Sequence, residues 1–161
     1  MRFKFITALY ACFCLLLSCS QDEISRIGVL EVPETMTFDN DITVGCEVLD
    51  RDYADYHSYK EYLSALGIRK IRLQAGWAKT EKTKGVYDFA WLDEIIDDAV
   101  ARGLEPWLQT SYGNPVYQGG GTPFLAGGWP ESEEALNAWH RWVEAMALRY
   151  KGKVHEWEIW N

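Results

Sequence analysis

Aromatic and amide side chains are concentrated in two segments of this 161-residue sequence, residues 75–87 and 110–131. Flat rings offer apolar faces to the C–H faces of a sugar, and amide and phenol groups match its hydroxyls as donors and acceptors. The alternative is that individual rings fill the interior of the segments themselves, and both possibilities stay open for each ring. Trp77 and Trp129 are the stronger candidates for sugar stacking. The full set is Trp77, Tyr87, Tyr112, Asn114, Tyr117, Gln118 and Trp129.

The other residue types that could bind a metal or a phosphate predict neither a metal site nor a nucleotide site. His57, His140 and His155 are scattered, and no cysteine or pair of acids accompanies them, so neither a metal nor a cofactor is expected. The glycine run 119–121 lies in the middle of a segment and no helix begins directly after it, unlike a phosphate-binding loop. The net charge of −8 argues against nucleic acid as a partner, because such a protein needs a basic face.

Glycine residues mark the ends of three predicted helices. Apolar residues at helical spacing precede Gly67, Gly103 and Gly152, and glycine suits the left-handed conformation that ends a helix. Asp88 and Ser132 predict where the second and third helices begin. A β-prone run starts one or two residues after each glycine. With one further run near the start, the predicted strands cover residues 42–46, 68–74, 104–109 and 154–160.

The order of these elements predicts an α/β fold. Strands that alternate with helices at such short turns form parallel βαβ units. The connections from the second and third strands to the following helices are much longer, 13 and 22 residues. Long loops at the C-terminal ends of parallel strands are where α/β folds bind ligands. The asymmetry therefore favours a binding or catalytic scaffold that places the aromatic and amide side chains at one end of the sheet.

Several motifs resemble those of the clan A glycoside hydrolases. The last predicted strand ends in Trp160-Asn161, and in that clan a Trp-Asn pair directly precedes the catalytic acid/base glutamate. Ile68–Leu73 with Gly76-Trp77 resembles the second strand of these barrels, and Gly85–Phe89 with Trp91–Asp93 resembles the entry into their second helix. Pro106-Trp107 and Ser111–Pro115 are most similar to family 39, the β-xylosidase and α-L-iduronidase group, and families 5 and 10 are the alternatives.

The resemblance implies the N-terminal half of a (β/α)8 TIM barrel in residues 42–161, with about four parallel strands and three helices; a complete barrel has ~250 residues. It also implies retaining hydrolysis of O-glycosyl bonds, which uses two carboxyl groups about 5–5.5 Å apart. The acid/base glutamate is expected immediately after Asn161, and the nucleophile at the end of strand seven. No catalytic residue is therefore expected within the chain, and the chain alone is expected to be inactive.

The same resemblance implies an oligosaccharide or polysaccharide substrate. It also implies that Asn161 forms a hydrogen bond with the sugar 2-hydroxyl. Arg72 matches the arginine that ends strand two in the clan and contacts the nucleophile; a simple ion pair with Glu158 is the alternative. Glu158 itself lies about 13 Å below the expected acid/base position, at ~3.3 Å per residue, which predicts an acid in the barrel interior. The candidates for substrate binding are Asn161, Trp77, Tyr112, Asn114, Trp129 and Arg72.

Residues 1–18 resemble a bacterial lipoprotein signal peptide. The apolar run that follows Lys4 is shorter than the ~20 residues a membrane span needs. Leu16–Cys19 resembles a lipobox, which implies cleavage before Cys19 and a diacylglycerol on its thiol. The implied location is the cell envelope, as an outer-membrane lipoprotein, and Ser20–Glu23 resembles the acidic stretch of surface-exported lipoproteins. The alternative is an ordinary secretory signal with an incidental cysteine.

Residues 19–41 are predicted to form a tether that leads into the domain. Cys46 would be the one cysteine left with a free thiol, and it is predicted to be a buried small residue in a strand rather than a nucleophile. A non-catalytic surface lipoprotein that binds glycans or another protein through the same long loops is the alternative function.

Overall fold

The computed structural model describes residues 42–124 and 128–161. Four parallel strands form one sheet in chain order: β1 (Thr43–Gly45), β2 (Lys70–Gln74), β3 (Glu105–Gln109) and β4 (Glu156–Glu158). Each strand pairs with the next one along the chain, as in the first half of a (β/α)8 barrel. The predicted α/β fold class with four parallel strands is therefore confirmed.

Four α-helices accompany the sheet: α1 (Lys60–Ala65), α2 (Trp77–Thr80), α3 (Ala90–Ala101) and α4 (Glu133–Arg149). Three of them were predicted, whereas α2 is an additional single turn in the long connection after β2. Four residues are too few to show helical periodicity in a sequence, so this turn escaped prediction. Two 3-10 turns, Leu49–Arg51 and Tyr56–Ser58, lie between β1 and α1.

Capping side chains and glycines lie at the helix ends, close to the predicted positions. The Ser132 hydroxyl accepts a hydrogen bond from the Ala135 N–H at 3.1 Å, so the predicted cap of α4 is confirmed. Helix α3 begins at Ala90, two residues after the predicted cap, although the Asp88 carboxylate still accepts the Ala90 N–H at 3.0 Å. Gly103 follows α3 with a φ of 77°, which is the left-handed conformation that glycine adopts without strain.

The hydrophobic core lies between one face of the sheet and the helices. Alternate residues of β2 and β3 point to this face, and every third or fourth residue of α3 and α4 meets them. These positions are nearly or fully inaccessible to solvent. The central members are Ile71, Leu73, Leu108, Leu92, Ile96, Trp142 and Met146.

The opposite face of the sheet is charged. Lys70 of β2 pairs with Glu156 of β4, and Arg72 pairs with Glu158 two residues further along both strands. The Arg72 guanidinium also lies 5.6 Å from the centre of the Trp107 ring on β3. Ion pairs on this face therefore join β2 to β4 across the intervening strand.

The predicted signal peptide, the lipidated Cys19 and the tether all fall outside the described residues. Cys46 directly follows β1 and is only 2% exposed, with a free thiol whose pKa burial raises. The prediction of a buried small residue at this position is confirmed. Within the two described ranges, no helix combines the length and apolar character needed to cross a membrane.

Candidate functional site

Hydrogen bonds connect the C-terminal ends of all four strands. Arg51, which follows β1, donates to the Gln74 side-chain oxygen at the end of β2 at 2.6 Å. The Gln74 amide donates to the Tyr112 hydroxyl after β3 at 3.3 Å, and the Asn161 amide donates to the same hydroxyl at 3.0 Å. The Tyr112 hydroxyl thus accepts two hydrogen bonds, and its proton is donated to none of the described residues. We refer to Arg51, Gln74, Tyr112 and Asn161 as the strand-end network.

An aromatic surface borders this network. The centre of the Trp160 ring lies 6.0 Å from that of Tyr112 and 4.9 Å from that of Trp129, with interplanar angles of 89° and 63°. The centre of the Trp129 ring also lies 4.7 Å from that of Trp139, and Trp129 remains 40% exposed. Asn161 is exposed beside these rings, and its side-chain oxygen has no partner among the described residues. Ring faces and an unpaired amide oxygen thus lie together, which is a combination that suits a sugar.

Arg72, two residues before the end of β2, and Glu158, the last residue of β4, form a two-bond ion pair on the charged face of the sheet. The guanidinium Nε and Nη2 donate to the two carboxylate oxygens of Glu158, each at 2.8 Å. Arg72 also pairs with Glu47, and the Gln109 amide donates to Glu158 at 3.2 Å. The hydrogen bonds from Arg72 lower the pKa of Glu158, so this carboxyl stays ionised.

The ion pair bears out one of the two interpretations of Arg72. Its Nε, Nη1 and Nη2 atoms are all engaged by carboxylates. The predicted pair with Glu158 is confirmed, and the contact with a nucleophile stays a prediction. Arg72 is placed to hold the strands in register beneath the candidate site.

A buried carboxylate that the sequence analysis missed joins the two long loops. Glu81 has no exposed surface, and it accepts hydrogen bonds from Trp77 Nε1 at 2.6 Å, Gly85 N–H at 2.6 Å and the Tyr117 hydroxyl at 2.5 Å. Its backbone carbonyl accepts a further bond from the Asn114 amide at 2.7 Å. The spacing of four residues between Trp77 and Glu81 was the sole hint of this arrangement in the sequence.

The prediction that Trp77 is a sugar-stacking residue is wrong in this structure. The ring is 0% exposed and stacks on Tyr117 at 5.5 Å and on Trp142 at 6.1 Å. A ring that is covered on both faces has no surface left for a ligand. Trp77 therefore belongs to the core beneath the loops, whereas Trp129 keeps the exposed surface that stacking requires.

Asn114 also differs from its predicted role in sugar binding. It is 2% exposed, its amide donates to the Glu81 carbonyl, and its side-chain oxygen accepts the Val116 N–H at 3.0 Å. These bonds shape the loop after β3 and leave little for a ligand. Of the predicted binding residues, Tyr112, Trp129 and Asn161 are the ones brought together at the strand ends.

Asp50 is a buried carboxyl group adjacent to the strand-end network. It is 7% exposed, its nearest cation is the neighbouring Arg51 Nε at 3.4 Å, and its Oδ1 atom has no hydrogen-bond partner. Burial raises its pKa to about 6, against the opposing effect of Arg51 and Lys79. Gly76 packs directly on this side chain, and a Cβ atom there would come within 2.5 Å of the Asp50 Cβ.

We expect Asp50→Asn to stabilise the chain at neutral pH. The pKa of Asp50 in the folded chain, about 6, lies above the ordinary value of 3.8, so the folded chain retains a proton that the unfolded chain releases. This contribution to stability is complete below pH 3.8 and is lost as the pH rises through 6. At pH 7 the amide should raise the free energy of unfolding by about 1–3 kcal/mol, and at pH 4 by much less.

Urea unfolding of both proteins at pH 4 and pH 7 measures this difference. The matched control is Asp97→Asn on the exposed side of α3, which should change the free energy of unfolding by less than about 0.5 kcal/mol at either pH. An equal effect of Asp50→Asn at both pH values would contradict the assignment.

No cluster of three or more His, Cys, Asp or Glu side chains suited to a metal ion occurs in the part of the chain that the structure describes. The candidate site at the strand ends is made of hydrogen-bonding groups and aromatic rings.

The comparisons with known proteins find similarity to glycosidases. The profile of the β-galactosidases of glycoside hydrolase family 42 matches residues 51–123. The β-galactosidase BgaA of Clostridium cellulovorans is 34% identical over 56 residues, 34% of this chain and 8% of that protein. The 6-phospho-β-glucosidase of Clostridium longisporum is 24% identical over 152 residues, 88% of this chain and 30% of that protein.

Among solved structures, a family 39 glycoside hydrolase from Bacteroides cellulosilyticus superposes with a TM-score of 0.62 at 23% identity. The match covers 81% of this chain and 26% of that protein. Over the matched part the chain thus has the fold of that glycoside hydrolase, and its sequence is similar to glycosidases. The chain spans less than a third of the length of each of these proteins.

Proposed function

We propose that this chain is the N-terminal part of a retaining glycoside hydrolase and that its strand ends form one side of the sugar site. The observation that carries the proposal is the contact of Asn161 with Tyr112 beside the exposed ring of Trp129. It places an unpaired amide oxygen and an aromatic surface at the strand ends, where α/β barrels bind substrates, and the buried Tyr112 hydroxyl holds the Asn161 amide in place. Similarity to glycosidases in sequence and fold supports the same class.

In the proposal, residues beyond Asn161 carry out the catalytic step. A retaining mechanism needs one carboxyl group to protonate the leaving oxygen and a second to attack the anomeric carbon. Glu158 is unsuited to either role, because Arg72 binds both of its oxygens and lowers its pKa. In the proposal, the acid/base glutamate directly follows Asn161 and the nucleophile comes from a later strand, so the 161-residue chain alone binds saccharides without hydrolysing them.

The finer assignments extend this proposal. We favour family 39 on its motifs, although the profile match is to family 42. An oligosaccharide or polysaccharide is the proposed substrate, and a lipid on Cys19 is proposed to anchor the protein in the outer membrane of the cell envelope. Metabolic labelling with a fatty-acid analogue tests the anchor: wild-type protein should incorporate the label, and Cys19→Ala should not.

Replacing Trp129 with alanine is expected to weaken saccharide binding at the strand ends about tenfold. The loss of ring stacking is worth roughly 1.4 kcal/mol, which corresponds to that factor. Isothermal titration of the 161-residue chain with xylotetraose and with β-1,4-galactotetraose measures the effect. Phe124→Ala is the matched control, because Phe124 is a 52% exposed ring in the same loop and makes no ring contact with the described residues.

Two outcomes would count against the proposal. Equal binding by the Trp129→Ala variant and the wild type would remove the aromatic surface from the site. An extended chain that binds saccharides but hydrolyses no aryl glycoside would favour the alternative, a non-catalytic glycan-binding lipoprotein.

A further inference from the structure

A pocket separate from the strand-end network lies beside the connection between β1 and α1. Its volume is about 450 Å³, and it lies between this connection and helix α3. Small-molecule sites commonly have volumes of ~300–1,000 Å³, so a monosaccharide or disaccharide unit fits. No member of the strand-end network lines it. The lining residues used below are Asp52, Tyr53, His57, Lys79, Trp91 and Glu94.

Tyr53 gives this pocket an uncovered aromatic ring. It is 70% exposed, the largest exposed fraction among the large hydrophobic residues described, and it makes no ring contact with the described residues. The second ring, Trp91, is half-buried, and the Lys79 ammonium lies 4.4 Å from its centre. An exposed tyrosine over a pocket leaves an apolar face available for a flat, partly apolar ligand.

Among the lining residues, Lys79 is the one permanent cation, and three carboxyl groups, those of Asp52, Asp55 and Glu94, lie with it. Lys79 binds Asp52 at 2.5 Å, and His57 lies 2.9 Å from Glu94. Lys79 is thus neutralised, which disfavours an anionic ligand such as a phosphate. The side chains of Asp52, His57 and Glu94 are 81%, 53% and 60% exposed, so their remaining lone pairs and N–H groups can still reach hydroxyls.

The pocket and the strand-end network are supported by the same short 3-10 turn. Leu49 lines the pocket and its carbonyl accepts the Lys79 ammonium at 2.8 Å. Two residues later in the same turn, Arg51 reaches the other way to Gln74 at 2.6 Å. An occupant of the pocket would therefore contact the same turn that carries Arg51 of the strand-end network.

We propose that this pocket is a second, non-catalytic binding site for a neutral oligosaccharide, with Tyr53 as its stacking residue. The combination of an uncovered ring, exposed hydrogen-bonding groups and a lysine already paired with Asp52 fits a polyhydroxylated, uncharged ligand. The choice of ligand class rests on the proposed function, whereas the pocket and its residues do not. Such a site would hold a long glycan on the protein surface next to the strand ends.

Titration of the ¹⁵N-labelled 161-residue chain with xylotetraose and with β-1,4-galactotetraose tests the proposal. We expect at least one probe to shift the amide signals of Tyr53 and its neighbours, and Tyr53→Ala to weaken that response at least tenfold. Tyr62→Ala is the matched control, because Tyr62 is 56% exposed on α1 and lies outside the pocket. Tyr62→Ala should leave the response unchanged.

The outcomes separate this site from the strand-end site. If Trp129→Ala abolishes binding and Tyr53→Ala has no effect, the second site is refuted and the proposed function stands. If Tyr53→Ala removes the pocket response and Trp129→Ala changes nothing, the second site stands and the strand-end site fails. Absence of any response near Tyr53 at millimolar probe overturns the inference, as does a response to tetralysine but to neither saccharide.

Discussion

Glu81→Gln is expected to lower the free energy of unfolding of the chain by about 3 kcal/mol. The carboxylate is fully buried and accepts three hydrogen bonds, from Trp77, Gly85 and Tyr117. Glutamine has one acceptor oxygen and places N–H groups where the second oxygen was, so at least one buried donor loses its partner. Hydrogen bonds to a charged acceptor contribute roughly 1.5–3 kcal/mol each, and an unpaired buried donor adds a further cost.

Urea unfolding followed by tryptophan fluorescence measures this loss. Glu144→Gln is the matched control, since Glu144 is exposed on α4 and should change the free energy of unfolding by less than about 0.5 kcal/mol. Glu81→Ala should be more damaging than Glu81→Gln, because it also leaves a cavity. If Glu81→Gln and Glu144→Gln unfold at the same urea concentration, Glu81 does not hold the two loops together.

Trp77→Ala is expected to cost about 3–5 kcal/mol of stability, which is the range for removing a large buried ring. The ring stacks on Tyr117 and Trp142, has no exposed surface and donates its N–H to Glu81. Since small domains are stable by only ~5–15 kcal/mol, this single change should bring the chain close to unfolding. Thermal unfolding monitored by circular dichroism gives the measurement.

Two further variants locate the origin of that cost. Trp77→Phe keeps an aromatic ring but removes the donor to Glu81, so it should cost less than Trp77→Ala. Trp129→Ala removes a ring that is 40% exposed, and it should reduce saccharide affinity with a much smaller loss of stability. A Trp77→Ala protein with wild-type stability and impaired saccharide binding would restore the role that the sequence alone had predicted for this ring.

The periodic parts of the fold were predictable from the sequence because period and position carry the information. Apolar spacing predicts the buried face of α3 and α4, and glycines predict where helices end. The alternation of side chains along a strand placed Arg72 and Glu158 on one face, and the parallel order of strands brought them together. Limits of the strands were less exact, and β4 covers three residues rather than the predicted seven.

The loops have no period, so their side chains could not be sorted into core and site from the sequence. Trp77 and Trp129 are the same residue type in the same kind of segment, yet one is fully buried and the other is 40% exposed. What separates them is contact with residues distant in the chain: Tyr117 and Trp142 cover Trp77. The hydrogen bond of Glu81 to Tyr117 likewise spans 36 residues.

By itself, the sequence determined the parallel α/β architecture, the end of the sheet at which the candidate binding side chains gather, and the clan to which the motifs are similar. Only the tertiary structure decided which of those side chains stay accessible. The physical reason is that burial in an aperiodic loop depends on long-range packing, in which a ring or a carboxylate becomes core as soon as another loop covers it. Trp129 and Asn161 stay accessible at the strand ends, where Asn161 bonds to the buried Tyr112, whereas Trp77, Asn114 and Glu81 hold the two loops together beneath them.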